Sequence, residues 1–264
     1  MVRSTIQDYL AGLRDKRVAV IGIGVSNTPL IKMLLRAGVE VTACDRRPRE
    51  AFAGQAEELE SLGARLRLGP DYLRVLDFDV IFRTPGMRPD LPGLAQAVAR
   101  GAQLTSEMEV FFQVCPCRTI AVTGSDGKTT TTTIIAELLK AAGETVYVGG
   151  NIGKPLLPDV DGMEPGDTAV LELSSFQLMT MDRSPDIAVV TNLAPNHLDV
   201  HKSMEEYVAA KKNIFTHQGP EGLLVLNADN AITRGFAPEA RGRVTLFSRR
   251  EELERGVFLK DGAI

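Results

Sequence analysis

The stretch that most limits what this chain can fold into is residues 118–142, RTIAVTGSDGKTTTTTIIAELLKAA. An apolar run of strand length enters a glycine-bounded turn and leaves it as a long helical segment, Lys128–Ala142, which is the order of a buried parallel strand, a loop and a crossover helix. Such a strand needs neighbours on both sides, so the pattern predicts an α/β architecture. The loop Gly124-Ser125-Asp126-Gly127-Lys128-Thr129-Thr130 fits phosphate binding by mechanism. Its glycines let backbone N–H groups turn toward an anion, Lys128 can reach terminal phosphates, and Thr129 can ligate magnesium. The spacing is shorter than the strict Walker form, because Val122 rather than a glycine stands five residues before Gly127. A glycine turn with a solvated lysine is the competing reading; the strand and helix on either side favour phosphate.

The same theme occurs earlier in the chain. RVAVIGIG (17–24) reads as a strand entering a glycine turn, NTPLIKMLLRAG (27–38) as a helix stopped by Gly38, and VEVTACD (39–45) as the next strand. A Glu-rich helix near 50–62, strands near 65–68 and 78–86, a helix near 92–100, the strand-like AQLTS and an amphipathic helix through 107–112 follow. The pattern restarts at about 114–117, which predicts domains at 1–116 and 117–264. The second domain continues with strands at 145–150, 168–175, 186–192 and 222–227 and a helix across Met204–Thr216. That is a doubly wound sheet, whose ligands collect at the carboxyl ends of the strands.

Composition closes off other classes. The 264 residues are 44% hydrophobic and 24% charged with a net charge of -4, so a packed core is possible and no basic field favours nucleic acid. The polar N-terminus carries no signal core, and no stretch approaches the ~20 apolar residues of a membrane span. Cys44, Cys115 and Cys117 lack the spacing of a zinc site or a disulfide framework. A cytoplasmic chain, without nucleic-acid or membrane partners, is expected.

Four further features carry chemistry. The turn Gly22-Ile23-Gly24-Val25-Ser26-Asn27 begins like a dinucleotide fingerprint, with Asn27 where a third glycine would stand. Asp45 ends the following strand at about the ~20-residue separation suited to a ribose, and Arg46 and Arg47 can pair with phosphate or with Asp45. On these residues alone NAD(P) binding and a plain tight turn both stay open. Glu172, near the end of TAVLELSS, is costly to bury without a cation or donor and is a candidate metal ligand. His197, after the next strand, is balanced between a ligand and a structural histidine. Lys211, on the helical EEYVAAKKNIF, reads from pattern alone as solvated.

Assembled, these residues resemble the Mur ligases along almost the whole chain, through TGSDGKTT, GGNIG (149–153), ELSSFQL (172–178), NLAPNHLD (192–199) and YVAAKKNIF (207–215). SSFQL is closest to the D-glutamate-adding branch. The resemblance implies a Rossmann-like UDP-binding domain, then a P-loop ATPase-type doubly wound domain, and a third domain that this chain, ending at DGAI, is expected to lack. Val25, Ser26, Asp45, Arg46, Arg47 and Gly86 correspond to residues of the UDP site, which reassigns the first glycine turn to a nucleotide sugar. Gly124 through Thr130 would hold the phosphates of ATP. Thr129, Glu172, His197 and a carbamylated Lys211 would serve magnesium, and Asn151, Ser174 and Ser175 would lie near the substrate. Lys128, His197 and Lys211 would be the catalytic residues.

The implied reaction takes the γ-phosphoryl of ATP onto the carboxylate of UDP-N-acetylmuramoyl-L-alanine, and the amine of D-glutamate attacks the acyl phosphate. A monomer is expected, inactive alone because its D-glutamate residues would lie in the third domain. The alternatives are a module that binds UDP-sugar and ATP without turnover, or a ligase like folylpolyglutamate synthase. Two departures from the family pattern stand out: Asp126 replaces a common Asn in the loop, and Asn196 replaces the usual Asp before His197.

Overall fold

The computed structural model describes residues 4–195 and 201–264. The chain forms two compact units, one of residues up to Pro116 together with Lys154–Met163, the other of Cys117–Gly153 and Glu164–Ile264.

The first unit is built on five parallel strands, β1 (Val18–Ile21), β2 (Val41–Asp45), β3 (Arg65–Leu68), β4 (Val80–Phe82) and β5 (Gln103–Thr105), in the order β3-β2-β1-β4-β5. Every residue of β1 and β2 is buried, as expected where helices cover both faces of a parallel sheet. Its helices are α1 (Ile6–Ala11), α2 (Asn27–Arg36), α3 (Gly54–Ser61), α4 (Pro92–Ala99) and α5 (Glu107–Val114). On one face Ala19, Ile21 and Ile81 pack with Leu94 and Ala97 of α4. Sequence pattern misses α1, whose start is a capping box between Thr5 and Asp8.

Lys154–Met163 lies within the span expected for the second domain, yet it packs with the first unit. The cause is local and physical. Leu156, Leu157, Val160 and Met163 are buried, and the Glu107 carboxylate accepts the Leu157 N–H at 2.8 Å, so the segment satisfies a buried acid while covering apolar surface.

The second unit holds seven parallel strands: β6 (Arg118–Thr123), β7 (Val146–Gly150), β8 (Thr168–Glu172), β9 (Ile187–Val190), β10 (Leu223–Asn227), β11 (Arg243–Ser248) and β12 (Val257–Phe258). Their order is β12-β11-β10-β9-β6-β8-β7. The helices are α6 (Lys128–Ala141), α7 (Ser175–Leu178), α8 (Met204–Thr216) and α9 (Ala231–Arg234). The strands β11 and β12 are absent from the sequence reading, because an edge pair with partly exposed side chains lacks the continuous apolar run of a central strand. Register does the positioning. Gly150 of β7, Glu172 of β8 and Val122 of β6 stand in one row, with Thr123 opposite Val190 of β9. All four carboxyl ends therefore reach the same edge of the sheet.

Candidate functional site

In the second unit the candidate phosphate-loop residues sit where β6 ends and α6 begins. Gly127 stands just ahead of the helix with φ 76°, a left-handed backbone that glycine adopts without cost from a Cβ. The first bond of the helix runs from Thr131 N–H to Gly127 O, so the amides of Lys128, Thr129 and Thr130 have no intrahelical acceptor. The helix dipole adds partial positive charge at the same place. Ser125 and Asp126 are different: their N–H groups donate to Asn192 O at 2.9 Å and to Asn192 Oδ1 at 3.0 Å. Thr191 Oγ1 also donates to Asp126 O at 2.7 Å. The loop is thus set by the end of β9 rather than left to form around an anion. Lys128 Nζ donates to Ser125 O at 3.0 Å and stays over the loop.

Glu172 is 2% exposed at the end of β8. Thr129 Oγ1 donates to Glu172 Oε2 at 2.6 Å, and Asn151 Nδ2 donates to Glu172 Oε1 at 2.7 Å. The Asn151 N–H holds the Glu172 carbonyl at 2.7 Å. Both carboxylate oxygens therefore have fixed donors, and the Thr129 hydroxyl and the carboxylate face one another as hard oxygen ligands. That set suits magnesium, which commonly takes one or two protein oxygens beside phosphate and water. Among the described residues no cluster of three or more His, Cys, Asp or Glu offers a dedicated metal cage.

Lys211 overturns the reading from pattern. It is 2% exposed, and its Nζ donates to Thr123 Oγ1 and Gly124 O, both at 3.0 Å. Burial, reinforced by the Lys128 charge and opposed by Glu172, brings its pKa down to about 7. A helix position that looks solvated is buried because α8 packs this face against the carboxyl end of β6. The neutral amine that results is the form that reacts with electrophiles such as carbon dioxide.

Asn192, Tyr207 and His201, to which the sequence assigns no role, join the site. The Ser125 hydroxyl accepts the Ala194 N–H and donates to Ala194 O, each at 2.9 Å, so the Tyr207 phenol 3.0 Å away is left to donate to it. The Tyr207 ring also faces Lys211 Nζ at 5.1 Å from its centroid. The available signal was spacing, since Tyr207 and Lys211 lie four apart on one helix face. Ser174 caps α7 and pairs with Gln177, while Ser175 is buried with its hydroxyl 2.9 Å from His201 Nε2. His197 and Asn196 lie outside the described residues.

The candidate UDP residues belong to the first unit. Asp45 Oδ2 accepts the Ile23 N–H at 2.8 Å, and its oxygens bind the Arg47 guanidinium at 3.1 Å. Arg47 also donates to Ile23 O at 2.7 Å and lies 4.4 Å over the Phe52 ring. These donors hold Asp45 below the usual carboxylate range, against the opposing effect of its burial. Of the two pairings open to the arginines, Arg47 takes the one with Asp45, while Arg46, Val25 and Gly86 are exposed. Ser26 precedes α2 without a side-chain capping bond. Asn27 explains the missing third glycine: its amide donates to Ile21 O at 2.9 Å and ties the turn to the end of β1.

Comparison with known proteins gives three findings. The family model described as Mur ligase middle domain matches residues 122–260, more than half of the chain. A UDP-N-acetylmuramoylalanine--D-glutamate ligase of Ruminiclostridium cellulolyticum is 54% identical over 264 residues, all of this chain and 57% of that protein. One of the same name from Acetivibrio thermocellus is 53% identical, covering 98% of this chain and 56% of the relative. The chain thus spans little more than half the length of the curated relatives it matches. Among solved structures, a UDP-N-acetylmuramate:L-alanyl-gamma-D-glutamyl-meso-diaminopimelate ligase from Neisseria meningitides aligns with TM-score 0.59 at 20% identity. It covers 94% of this chain and 85% of that chain, a likeness of fold.

Proposed function

The chain belongs to the Mur ligase family, and from that premise we propose that it forms the UDP-sugar and ATP-handling part of a ligase that adds D-glutamate to UDP-N-acetylmuramoyl-L-alanine. The observation that carries this reading is the pairing of Thr129 with Glu172 beside the phosphate loop, with the buried Lys211 under it. The names of relatives that are 53–54% identical support the choice of D-glutamate.

The reaction needs ATP and a substrate carboxylate held in line, with charge on the transferred group neutralised. The amides of Lys128, Thr129 and Thr130 donate to the phosphate oxygens, and the Lys128 ammonium leaves Ser125 O to meet the terminal phosphates. Thr129 and Glu172, with Lys211 once carbamylated and His197, would hold magnesium, which supplies positive charge to the phosphoryl oxygens. Asn151 keeps Glu172 aimed. A substrate carboxylate oxygen bonds to the γ-phosphorus as ADP leaves; the D-glutamate amine then attacks the acyl carbon, and phosphate departs as the amine loses a proton. Asp126 adds a negative charge at the loop, although Asn192 uses only its backbone. In the first unit, Asp45 and Arg47 organise the nucleotide-sugar turn around Ile23.

A second reading is binding of both nucleotides without turnover. Calorimetric titration with a nonhydrolysable ATP analogue and with UDP-N-acetylmuramoyl-L-alanine, followed by an assay of ADP release with D-glutamate, separates them. The ligase reading expects both ligands to bind; D-glutamate-dependent ADP release by residues 1–264 removes the binding-only reading. Lys128→Ala is the control, and analogue affinity unchanged in that variant would reject the phosphate-loop assignment.

A further inference from the structure

His201 has no part in the reaction as described, yet it is 2% exposed and ordered on every side. Its Nε2 lies 2.9 Å from Ser175 Oγ and its Nδ1 3.6 Å from Glu206 Oε2. The ring stacks on Phe176, with centroids 5.1 Å apart at 10°, and meets the Tyr207 ring edge-on at 5.2 Å and 75°. Tyr207 reaches the other way, to Ser125 Oγ at 3.0 Å and toward Lys211. One imidazole therefore touches both the substrate-side segment that follows β8 and the aromatic ring that braces the phosphate loop.

We propose that His201 is a positioning residue that couples Ser175 and Phe176 to the phosphate loop through Tyr207. The physical case is geometric. A serine hydroxyl at the start of α7 can rotate freely unless a partner fixes it, and a buried imidazole wedged between two aromatic rings has few alternative rotamers. A shift of Ser175 moves the imidazole, the imidazole moves the Tyr207 ring, and the phenol moves Ser125. Ser125 cannot absorb that shift privately, because the same hydroxyl is tied to both backbone groups of Ala194. Occupancy of the substrate side would thereby set the loop that holds phosphate. The role deepens the ligase reading of this site, but its test needs no nucleotide and no turnover.

The test follows the backbone amide signals of Ser125 and Gly127 by NMR in this chain. Ser175→Ala is expected to shift them in the wild-type background. In His201→Phe, which keeps a ring between Phe176 and Tyr207 but removes the bond to Ser175, the additional Ser175→Ala change is expected to leave them still. His201→Gln, which can again bond Ser175, should restore part of the response, something a purely space-filling role would not do. Loop amides that ignore Ser175→Ala in the wild type, or that respond equally in His201→Phe, overturn the proposal. Should His201→Phe fail to fold, the His201→Gln comparison decides: a retained response supports coupling and a lost one opposes it. Failure of the chain to bind ATP or the UDP-sugar would defeat the ligase reading and leave these amide shifts as they are.

Discussion

Thr129 and Glu172 are 43 residues apart in sequence and 2.6 Å apart in space, hydroxyl to carboxylate, at the point where α6 starts and β8 ends. The contact exists because β6 and β8 are neighbours in register, with Val122 opposite Glu172. It makes a helix-start threonine and a strand-end acid one unit. In Glu172→Gln the fold should persist, because an amide still accepts from Thr129. Its NH2 then confronts the Asn151 amide, and the anionic ligand is gone. The gain in ATP-analogue affinity on adding magnesium should shrink by at least about tenfold, in line with the ~10–100-fold that even outer-shell partners of a metal contribute. Titrating the analogue with and without magnesium checks this; an undiminished gain would remove Glu172 from the proposed metal site.

Lys211 should carry carbon dioxide in the active form. Its lowered pKa, about 7, means that a substantial fraction is neutral near pH 7, where an ordinary lysine is almost wholly charged. For stability the sign is fixed: the unfolded chain binds this proton more tightly, so the unmodified lysine opposes folding most below pH 7, and this cost fades as pH rises toward 10.5. Lys211→Ala should weaken the gain in ATP-analogue affinity on adding magnesium, and a short carboxylic acid should restore part of it by standing in for the carbamate. Carbon-13 NMR of protein equilibrated with labelled bicarbonate should show a carbamate signal that Lys211→Ala lacks; the same signal in both proteins would contradict the assignment.

Glu107 makes the first unit sensitive to pH in the opposite sense from a salt-bridged acid. Burial pushes its pKa up to about 7, with the N–H groups of Leu157 and Leu156 pulling the other way. Between 4.5 and about 7 the folded chain holds a proton that the unfolded chain has released, so stability falls as pH rises through that window. At pH 8 the ionised group costs on the order of 1–3 kcal/mol. Glu107→Gln should be more resistant to urea than wild type at pH 8 and should lose that advantage at pH 4.5. A difference that does not vary with pH would show that Glu107 does not titrate in this range.

Two glycines of the loop between β6 and α6 should differ in what they tolerate. At Gly124, φ is 152° and a Cβ would overlap Thr191 Oγ1, with Asn192 O at 3.1 Å. Gly127 has φ 76° and nothing within 4 Å of its Cβ position. Gly124→Ala should therefore cost about 2–4 kcal/mol and disturb the β9 end, whereas Gly127→Ala should cost only the left-handed backbone penalty, about 1–2 kcal/mol. Urea denaturation of both variants measures the gap, and equal losses would contradict the packing argument.

Much of this was legible in the chain because its physics is local. The apolar runs of β1, β2, β6, β8 and β9 announce strands, the glycine loop announces a helix start, and alternation of the two announces a parallel sheet. Glu172 could be singled out in the same way, since an acid in an apolar run needs a donor or a cation wherever it lies. Lys211 could not be reached by that route, only through the family resemblance. On its helix alone it looks solvated, and only packing against the end of β6 puts it beside Thr123 and Gly124. Asn192, Tyr207 and His201 are of the same kind, ordinary residues whose roles arise from partners 66, 82 and 26 positions away. The return of Lys154–Met163 to the first unit is also tertiary, decided by a buried carboxylate that needs backbone donors. Propensity and periodicity act within a few residues and so determine which elements form; burial and strand register join distant residues, and they alone decide which side chains become a site.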